Sequence, residues 1–230
     1  LELLGKLLDL PAPPKRMESF DISNTGKSDI VASMVVYSGV RPLKSAYRRF
    51  RIQSLEGHPD DYASMQEVLA RRLQRAADGD EKFLPLPDVF LIDGGMTHAA
   101  VAEKVCAAFG LHIPIFGMVK DGSHRTRAIA KSGGEIAFTS KRRAFTLVAE
   151  IQEEVHRFAV TYHRQKHKAS ALSSTLTDIP GVGPSRAKAL LRHFKTVTAI
   201  KNAGVDELKN VSGISDSMAQ TIYDALHPES

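Results

Sequence analysis

Two aspartates stand in apolar runs of the kind that form buried strands. Asp21 lies inside the run 16–23, and Asp93 ends the run 87–93 directly before two glycines. A carboxylate buried in a strand is costly unless a cation shares it. If the two strands are neighbours, both carboxylates lie at one edge of the sheet, and such a pair binds a hard divalent cation through its oxygens. The residues therefore predict a Mg²⁺ or Mn²⁺ site, with two unrelated turn aspartates as the alternative.

The elements that must position these aspartates form an α/β pattern. The runs 16–23, 31–36 and 47–52, separated by short connections, predict an antiparallel meander. The runs 87–93 and 113–119, with a helical pattern between them, predict a parallel crossover, in which ligands gather at the carboxyl ends of the strands. The sequence therefore predicts a mixed sheet with flanking helices. The meander disfavours a flavodoxin-like nucleotide-binding domain.

Two further helices are predicted beside this sheet. One begins at Asp60 or Asp61, and Asp60 is expected to cap it because acidic residues suit the positive end of the helix dipole. Its apolar positions recur at helical spacing, with Arg71, Arg72 and Arg75 off that face. The other is a long helix at about 145–166 with its own apolar stripe.

Charge and cysteine content limit the partners and the compartment. The 230 residues carry a net charge of +5, and the basic residues are concentrated at 41–51, 120–143 and 155–177. Such blocks favour nucleic acid as a partner, and Arg48 and Arg49 are candidate DNA contacts. A single cysteine excludes an internal disulfide framework, and no apolar run is long enough to cross a bilayer. We therefore expect a reducing, cytoplasmic location and no membrane partner.

The last part of the chain repeats itself. An apolar pattern around a tight turn occurs at 176–194 and again at 208–226. The turn residues of the two copies are Gly181, Gly183, Gly213 and Ser215. This internal duplication resembles a tandem helix-hairpin-helix module, which binds DNA phosphates through backbone N–H groups at a helix N-terminus.

The charges beside the two turns differ. Arg186 and Lys188 follow the first turn, whereas Asp216 follows the second and would repel a phosphate. We therefore expect the Gly181–Gly183 turn to be the stronger phosphate contact.

Six motifs occur in the order in which one known family has them. They are Glu18-Ser-Phe-Asp-Ile-Ser23, Val31-Ala-Ser-Met-Val-Val36, Tyr47-Arg-Arg-Phe50, Asp60-Asp-Tyr-Ala-Ser-Met65, Leu91-Ile-Asp-Gly-Gly95 and Glu154-Val-His-Arg-Phe-Ala159. Together they resemble the C-terminal half of UvrC, the nuclease subunit of the bacterial excinuclease of nucleotide excision repair. The resemblance covers essentially the whole chain.

The resemblance implies an RNase H-like endonuclease domain at 1–167, a basic linker at 168–174 and a tandem helix-hairpin-helix DNA-binding domain at 175–230. The fold class is then α/β, a mixed RNase H-like sheet followed by a small all-α domain. The metal carboxylates fall on Asp21 and Asp93, with His156 as the third catalytic and metal-binding residue. Asp61, or its neighbour Asp60, would be an accessory acid.

The resemblance also implies a place in repair. This half of the family makes the 5′ incision beside a lesion in damaged double-stranded DNA. The 3′ incision belongs to a GIY-YIG domain, and the contacts with the helicase subunit UvrB are expected mostly outside this chain. Where the family often has Lys-Gly-Gln after the two glycines, this chain has Met96-Thr97-His98. We therefore carry over no substrate contact to that position.

Two other functions remain open at this point. A DNA-binding scaffold with an inactive RNase H-like domain would share the fold, and metal-dependent nicking would distinguish it. A different RNase H-like nuclease, such as a junction resolvase, would share the carboxylates but not the six motifs or the helical tail.

Overall fold

The computed structural model describes residues 1–25, 29–53, 60–122, 126–131, 134–137 and 142–227, and the chain divides into two compact units, Leu1–Tyr162 and His163–Ser230. In the described residues the strands are β1 (Arg16–Thr25), β2 (Asp29–Ser38), β3 (Arg41–Pro42), β4 (Arg48–Arg51), β5 (Val89–Asp93), β6 (Ile115–Lys120), β7 (Thr126–Lys131) and β8 (Gly134–Ala137). The α-helices are α1 (Glu2–Leu7), α2 (Asp61–Ala77), α3 (Met96–Ala108), α4 (Arg142–Thr177), α5 (Pro184–Phe194), α6 (Val197–Asn202), α7 (Val205–Lys209) and α8 (Asp216–Leu226).

The strands of the first unit form one mixed sheet. Its order is β3-β2-β1-β5-β6-β7-β8, and β4 also pairs with β2. β1, β2 and β4 form the predicted antiparallel meander, while β1, β5 and β6 are parallel neighbours. β7 and β8 extend the sheet by antiparallel pairing, which the sequence pattern did not predict. The α/β fold class with flanking helices is confirmed.

Different helices cover the two faces of this sheet. One apolar cluster joins the sheet to α2 and α3, and in it the rings of Phe20 and Phe90 meet edge-to-face at 5.5 Å between centroids. The other cluster lies under α4 and includes Leu91 and Met118. β1 contributes to both, as expected of a central strand, because Phe20 packs on the first side and Met17 on the second.

Alternation along the strands places the candidate site residues on the α4 side. Asp93 follows Leu91 by two residues, and Lys120 follows Met118 by two, so each shares the face of its apolar neighbour. Asp21 lies on the same face of β1, beside a residue of α4. The middle of β1 and the carboxyl ends of β5 and β6 therefore come together under α4.

A buried ion pair joins β1 to α2. Arg72 Nε donates to Glu18 Oε2 at 2.7 Å, and both side chains are fully buried. Arg16 donates a second charged hydrogen bond to Glu18. Our prediction that Arg72 lies off the buried face of α2 is wrong, because the carboxylate of Glu18 inside the sheet requires a counter-charge from the helix that packs on it.

The second unit is helical and has its own core. Leu176, Leu190, Leu208 and Ile222 are among its fully buried residues. The backbone of α4 continues as a helix through 168–174, the stretch that we predicted as a linker. The boundaries at 167 and 175 remain a prediction, and parts of the basic stretch 120–143 lie outside the described residues. Among the described helices, none combines the length and the apolar character needed to cross a membrane.

Candidate metal centre and nucleic-acid interface

Asp21, Asp93 and His156 converge at one point. Each offers one ligand atom, and these atoms lie within 4.8 Å of one another. The two aspartates meet because β1 and β5 are adjacent and parallel, with Phe20 opposite Ile92. His156 comes from α4, and its Nδ1 lies 3.5 Å from Asp21 Oδ2. The condition on which the paired-carboxylate prediction depended, that the two strands are neighbours, is therefore met.

The Asp21 carboxylate lies in an environment that disfavours its charge. Burial, and next the negative charge of Asp93, raise the pKa of Asp21 from 3.8 to about 7. Lys120 acts in the opposite direction, and Asp61 adds a smaller repulsion. The local charge balance is therefore negative, and a bound cation would relieve it. Two carboxylates and an imidazole are a donor set for a divalent cation.

Two residues that the sequence reasoning missed hold Asp93 in place. Lys120 Nζ donates to Asp93 Oδ2 at 2.6 Å, and Gln152 Nε2 donates to Asp93 Oδ1 at 2.7 Å. Gln152 also donates to the Met118 carbonyl at 2.9 Å, and its Oε1 accepts a hydrogen bond from the Thr126 hydroxyl. The signal for Lys120 was present, because it directly follows the apolar run 113–119, whose carboxyl end is where ligands gather.

The loop after Asp93 passes close to the neighbouring strand. A Cβ on Gly117 would lie 2.5 Å from the carbonyl oxygen of Gly94, so only glycine fits on β6 at this point. Gly94 itself has φ +144°, which side chains rarely adopt. The turn that ends β5 at Asp93 therefore depends on Gly94 in the turn itself and on Gly117 in β6.

His156 is accessible rather than packed. Its side chain is 59% exposed, so it is not a buried structural histidine. α4 is fixed to the sheet on both sides of it: Arg49 stacks on Phe158 at 3.7 Å from the ring centroid, and the Tyr47 hydroxyl donates to Glu154 at 2.9 Å. These contacts hold the turn of α4 that carries His156 over the carboxylates.

The two acidic residues at the start of α2 have different surroundings. Asp60 is the N-cap, and its carboxylate accepts from the backbone N–H groups of Tyr62 and Ala63 at 2.9 and 3.0 Å. Its predicted capping role is confirmed. Asp61 is exposed and lies outside the group of three converging residues, so its accessory role remains a prediction.

The arginines of the first basic block take part in local structure. Arg48 donates to the carbonyls of Ser45 and Tyr47, and Arg49 donates to the carbonyl of Phe158 at 3.0 Å. Arg48 also lines a basic cleft of about 270 Å³ together with Arg71, Arg75 and Lys82. Contacts of Arg48 and Arg49 with DNA remain a prediction.

In the second unit, the two helix-hairpin-helix turns share one backbone geometry. Gly181 and Gly213 occupy equivalent places with φ +81° and +87°. Gly183 and Ser215 are the next equivalent pair, the N-caps of α5 and α8, with φ −78° and −84°. The predicted duplication is therefore also a structural repeat, and its equivalent positions are 181 with 213 and 183 with 215.

The two helix starts differ in how their N–H groups are satisfied. Ser215 Oγ accepts from the Met218 N–H at 3.3 Å, whereas Gly183 offers no side-chain cap. Arg186 donates to the carbonyls of both Gly181 and Gly213, at 2.7 and 3.0 Å, so it links the two turns. Lys188 is exposed on α5.

Comparison with protein families gives two adjacent matches. Residues 5–160 match the family described as UvrC RNAse H endonuclease domain. Residues 173–228 match the family described as SAM-like helix-hairpin-helix tandem.

Curated relatives agree with these matches. The UvrABC system protein C of Ruminiclostridium cellulolyticum is 44% identical over 227 residues, which cover 96% of this chain and 37% of that protein. The corresponding protein of Moorella thermoacetica is 45% identical over 224 residues, covering 97% of this chain and 36% of that protein. A solved structure of human endonuclease V aligns over 70% of this chain and 90% of that chain, at 12% identity and a TM-score of 0.45. The chain spans little more than a third of the length of the curated relatives, and it belongs to the UvrC family, with an RNase H endonuclease domain followed by a helix-hairpin-helix tandem.

Proposed function

We propose that this chain is a divalent-cation-dependent DNA endonuclease whose cation, Mg²⁺ or Mn²⁺, is held by Asp21, Asp93 and His156. The observation that carries the proposal is the convergence of these three side chains within 4.8 Å, where β5 ends beside the middle of the parallel strand β1. Family membership supports the same reaction class.

The residues suit phosphodiester hydrolysis. A bound cation supplies a water of lowered pKa and neutralises charge on the phosphate. Asp21 and Asp93 offer carboxylate oxygens to it, and Lys120 and Gln152 fix the orientation of Asp93. His156 is exposed over the carboxylates, where it can bind the cation or orient the attacking water. Asp61 is an accessory acid whose negative charge acts on Asp21.

The substrate that we propose is damaged double-stranded DNA, cut on the 5′ side of the lesion during nucleotide excision repair in the cytoplasm. The names of the relatives support this assignment, since they are UvrABC system proteins. The helicase subunit UvrB would deliver the lesion through contacts mostly outside this chain.

The helix-hairpin-helix tandem is proposed to bind DNA phosphates, mainly through its first turn. The start of α5 has no side-chain cap, so its N–H groups are open to an anion. At the start of α8, the Ser215 hydroxyl already accepts a hydrogen bond from the Met218 N–H. Lys188 adds exposed positive charge. Arg48 and Arg49 are proposed as contacts of the first unit.

The test is cleavage of a lesion-containing duplex with Mn²⁺ or Mg²⁺, with DNA affinity measured separately by anisotropy. We expect Asp21→Asn, Asp93→Asn and His156→Ala to lower the cleavage rate by at least about 100-fold, the upper limit for residues that only support a metal ligand. DNA affinity should stay near wild type, because the basic residues and the hairpins carry it.

Glu2→Gln, an exposed carboxylate on α1, is the matched control and should cleave normally. Cleavage by Asp93→Asn at the wild-type rate would refute the assignment of the site. A wild-type protein that binds DNA but never cuts it with either cation would support the scaffold alternative instead.

A further inference from the structure

The lysine beside the two carboxylates supports Asp93, and its position indicates a second role. Lys120 ends β6, where the pairing with β7 shifts register at Val119/Lys120. The extra residue at this shift is Arg127 on β7, so β6 keeps its regular alternation up to Lys120. The result is an ammonium group 2.6 Å from Asp93 Oδ2, on the same face as Asp21.

The ammonium group lies against an oxygen of Asp93 that could bind a cation. Asp93 Oδ1 is already held by Gln152, which in turn is fixed by the Met118 carbonyl and by Thr126. Oδ2 faces Lys120, so a cation bound to this oxygen would lie beside the ammonium group. Each carboxylate oxygen has two lone pairs, so the competition is electrostatic: a divalent cation at this distance repels the ammonium.

The Lys120 side chain is also partly open to solvent. Lys120 is 25% exposed and Asp93 is 10% exposed, while His156 on the rim is 59% exposed. The open side of the site is the side from which a DNA strand must approach. An ammonium group that left Asp93 Oδ2 would therefore move toward the side from which the DNA approaches.

We propose that Lys120 is a resident counter-cation that exchanges with the divalent cation. In the metal-free enzyme it neutralises Asp93 and keeps the carboxylate pair assembled. When it gives up Asp93 Oδ2, its ammonium donates to a non-bridging oxygen of the scissile phosphate. This inference rests on the proposed function, because it assumes the cation at Asp21 and Asp93.

The experiment compares Lys120→Met, Lys120→Arg and the wild type, with Lys104→Met on the exposed side of α3 as the control. Three quantities are measured: melting temperature with a chelator, Mn²⁺ affinity by calorimetry without DNA, and single-turnover cleavage at saturating Mn²⁺. For Lys120→Met we expect a metal-free melting temperature at least about 2 °C lower, because the carboxylates lose their counter-charge.

The Mn²⁺ affinity and the cleavage rate should move in opposite directions. Mn²⁺ should bind Lys120→Met about tenfold more tightly, since a competing charge at contact distance is gone. Cleavage by the same variant should be at least about tenfold slower, because the phosphate loses a charged donor. Lys120→Arg should recover most of the wild-type melting temperature, and Lys104→Met should match wild type throughout.

Each negative result would overturn a different part of the proposal. Unchanged or weaker Mn²⁺ binding by Lys120→Met, with normal binding by wild type, would overturn the exchange and leave the proposed function intact. Tighter binding with an unchanged cleavage rate would overturn the phosphate contact. Absence of Mn²⁺ binding in every variant would overturn the exchange together with the proposed metal site.

Discussion

At the scale of single residues, the chemistry of the site centres on one buried carboxylate. Asp21 is 7% exposed and faces Asp93, and these two causes raise its pKa to about 7. An acid whose pKa is raised on folding keeps its proton in the folded state at pH values where the unfolded chain has lost it. Between about pH 4 and pH 7 the folded state therefore binds more protons, and the stability contributed by Asp21 falls as the pH rises.

This linkage predicts how pH affects the metal-free protein. Relative to Asp21→Asn, the wild type should lose stability as the pH rises from 4 to 7, by about 1.4 kcal/mol for each unit of pKa shift that persists in solution. Thermal melts with a chelator at closely spaced pH values measure the difference. Saturating Mg²⁺ or Mn²⁺ should abolish the loss in the wild type and change Asp21→Asn little. Parallel stability curves for the two proteins would contradict the coupling of Asp21 to its surroundings.

At the scale of elements, the two helix starts of the tandem give a matched comparison. A substitution at Gly213 would be strained whatever it contacts, because φ there is +87°, so it cannot be compared with one at Gly183. Gly183 and Ser215 are equivalent N-caps with ordinary φ values. They are the correct pair for asking which turn binds a phosphate.

We expect Gly183→Leu to weaken DNA binding more than Ser215→Leu. Nothing lies within 4 Å of a Cβ at Gly183, so the side chain fits the fold and projects into the space a phosphate would take. Loss of one phosphate contact should lower the salt slope of log affinity by about 0.9 on duplex DNA. Titrations at several salt concentrations measure both slopes, after circular dichroism has confirmed that both variants are folded. Equal losses at the two positions would contradict the predicted asymmetry.

At the scale of the whole molecule, the first unit depends on a charge pair inside its core. Arg72 and Glu18 are fully buried and bridge the sheet and α2 through two hydrogen bonds, at 2.7 and 2.8 Å. Removing one partner leaves the other charge buried without full compensation, which is more costly than the pair is stabilising. Arg16 would remain as the other cation on Glu18.

We therefore expect Arg72→Met to lower the free energy of unfolding by about 3–5 kcal/mol, measured by urea denaturation. The adjacent Arg71 is a natural control, because its pair with Glu67 is 39% exposed on the arginine side. Arg71→Met should cost about 0–1 kcal/mol. Similar costs for the two variants would show that the buried pair contributes no more than a surface one.

The sequence alone determined the fold class, the two converging carboxylates and the duplicated tail. Asp21 and Asp93 could be predicted because each interrupts or ends an apolar strand. Side chains alternate strictly between the two faces of a strand, so such a charge cannot move to another position. The capping role of Asp60 followed from the helix pattern that begins beside it. His156 was identified from its motif, since a single histidine on a helix has no periodic signal of its own.

Tertiary structure decided which charges lie in the core and which complete the site. Arg72 and Lys120 both lie near other basic residues in the sequence, yet one is buried against Glu18 and the other contacts Asp93. Both depend on partners more than 25 residues away along the chain. The position of Gln152 likewise depends on α4 crossing the ends of β5 and β6. Periodicity reports which face of an element a residue occupies, but pairing between distant elements determines what that face meets.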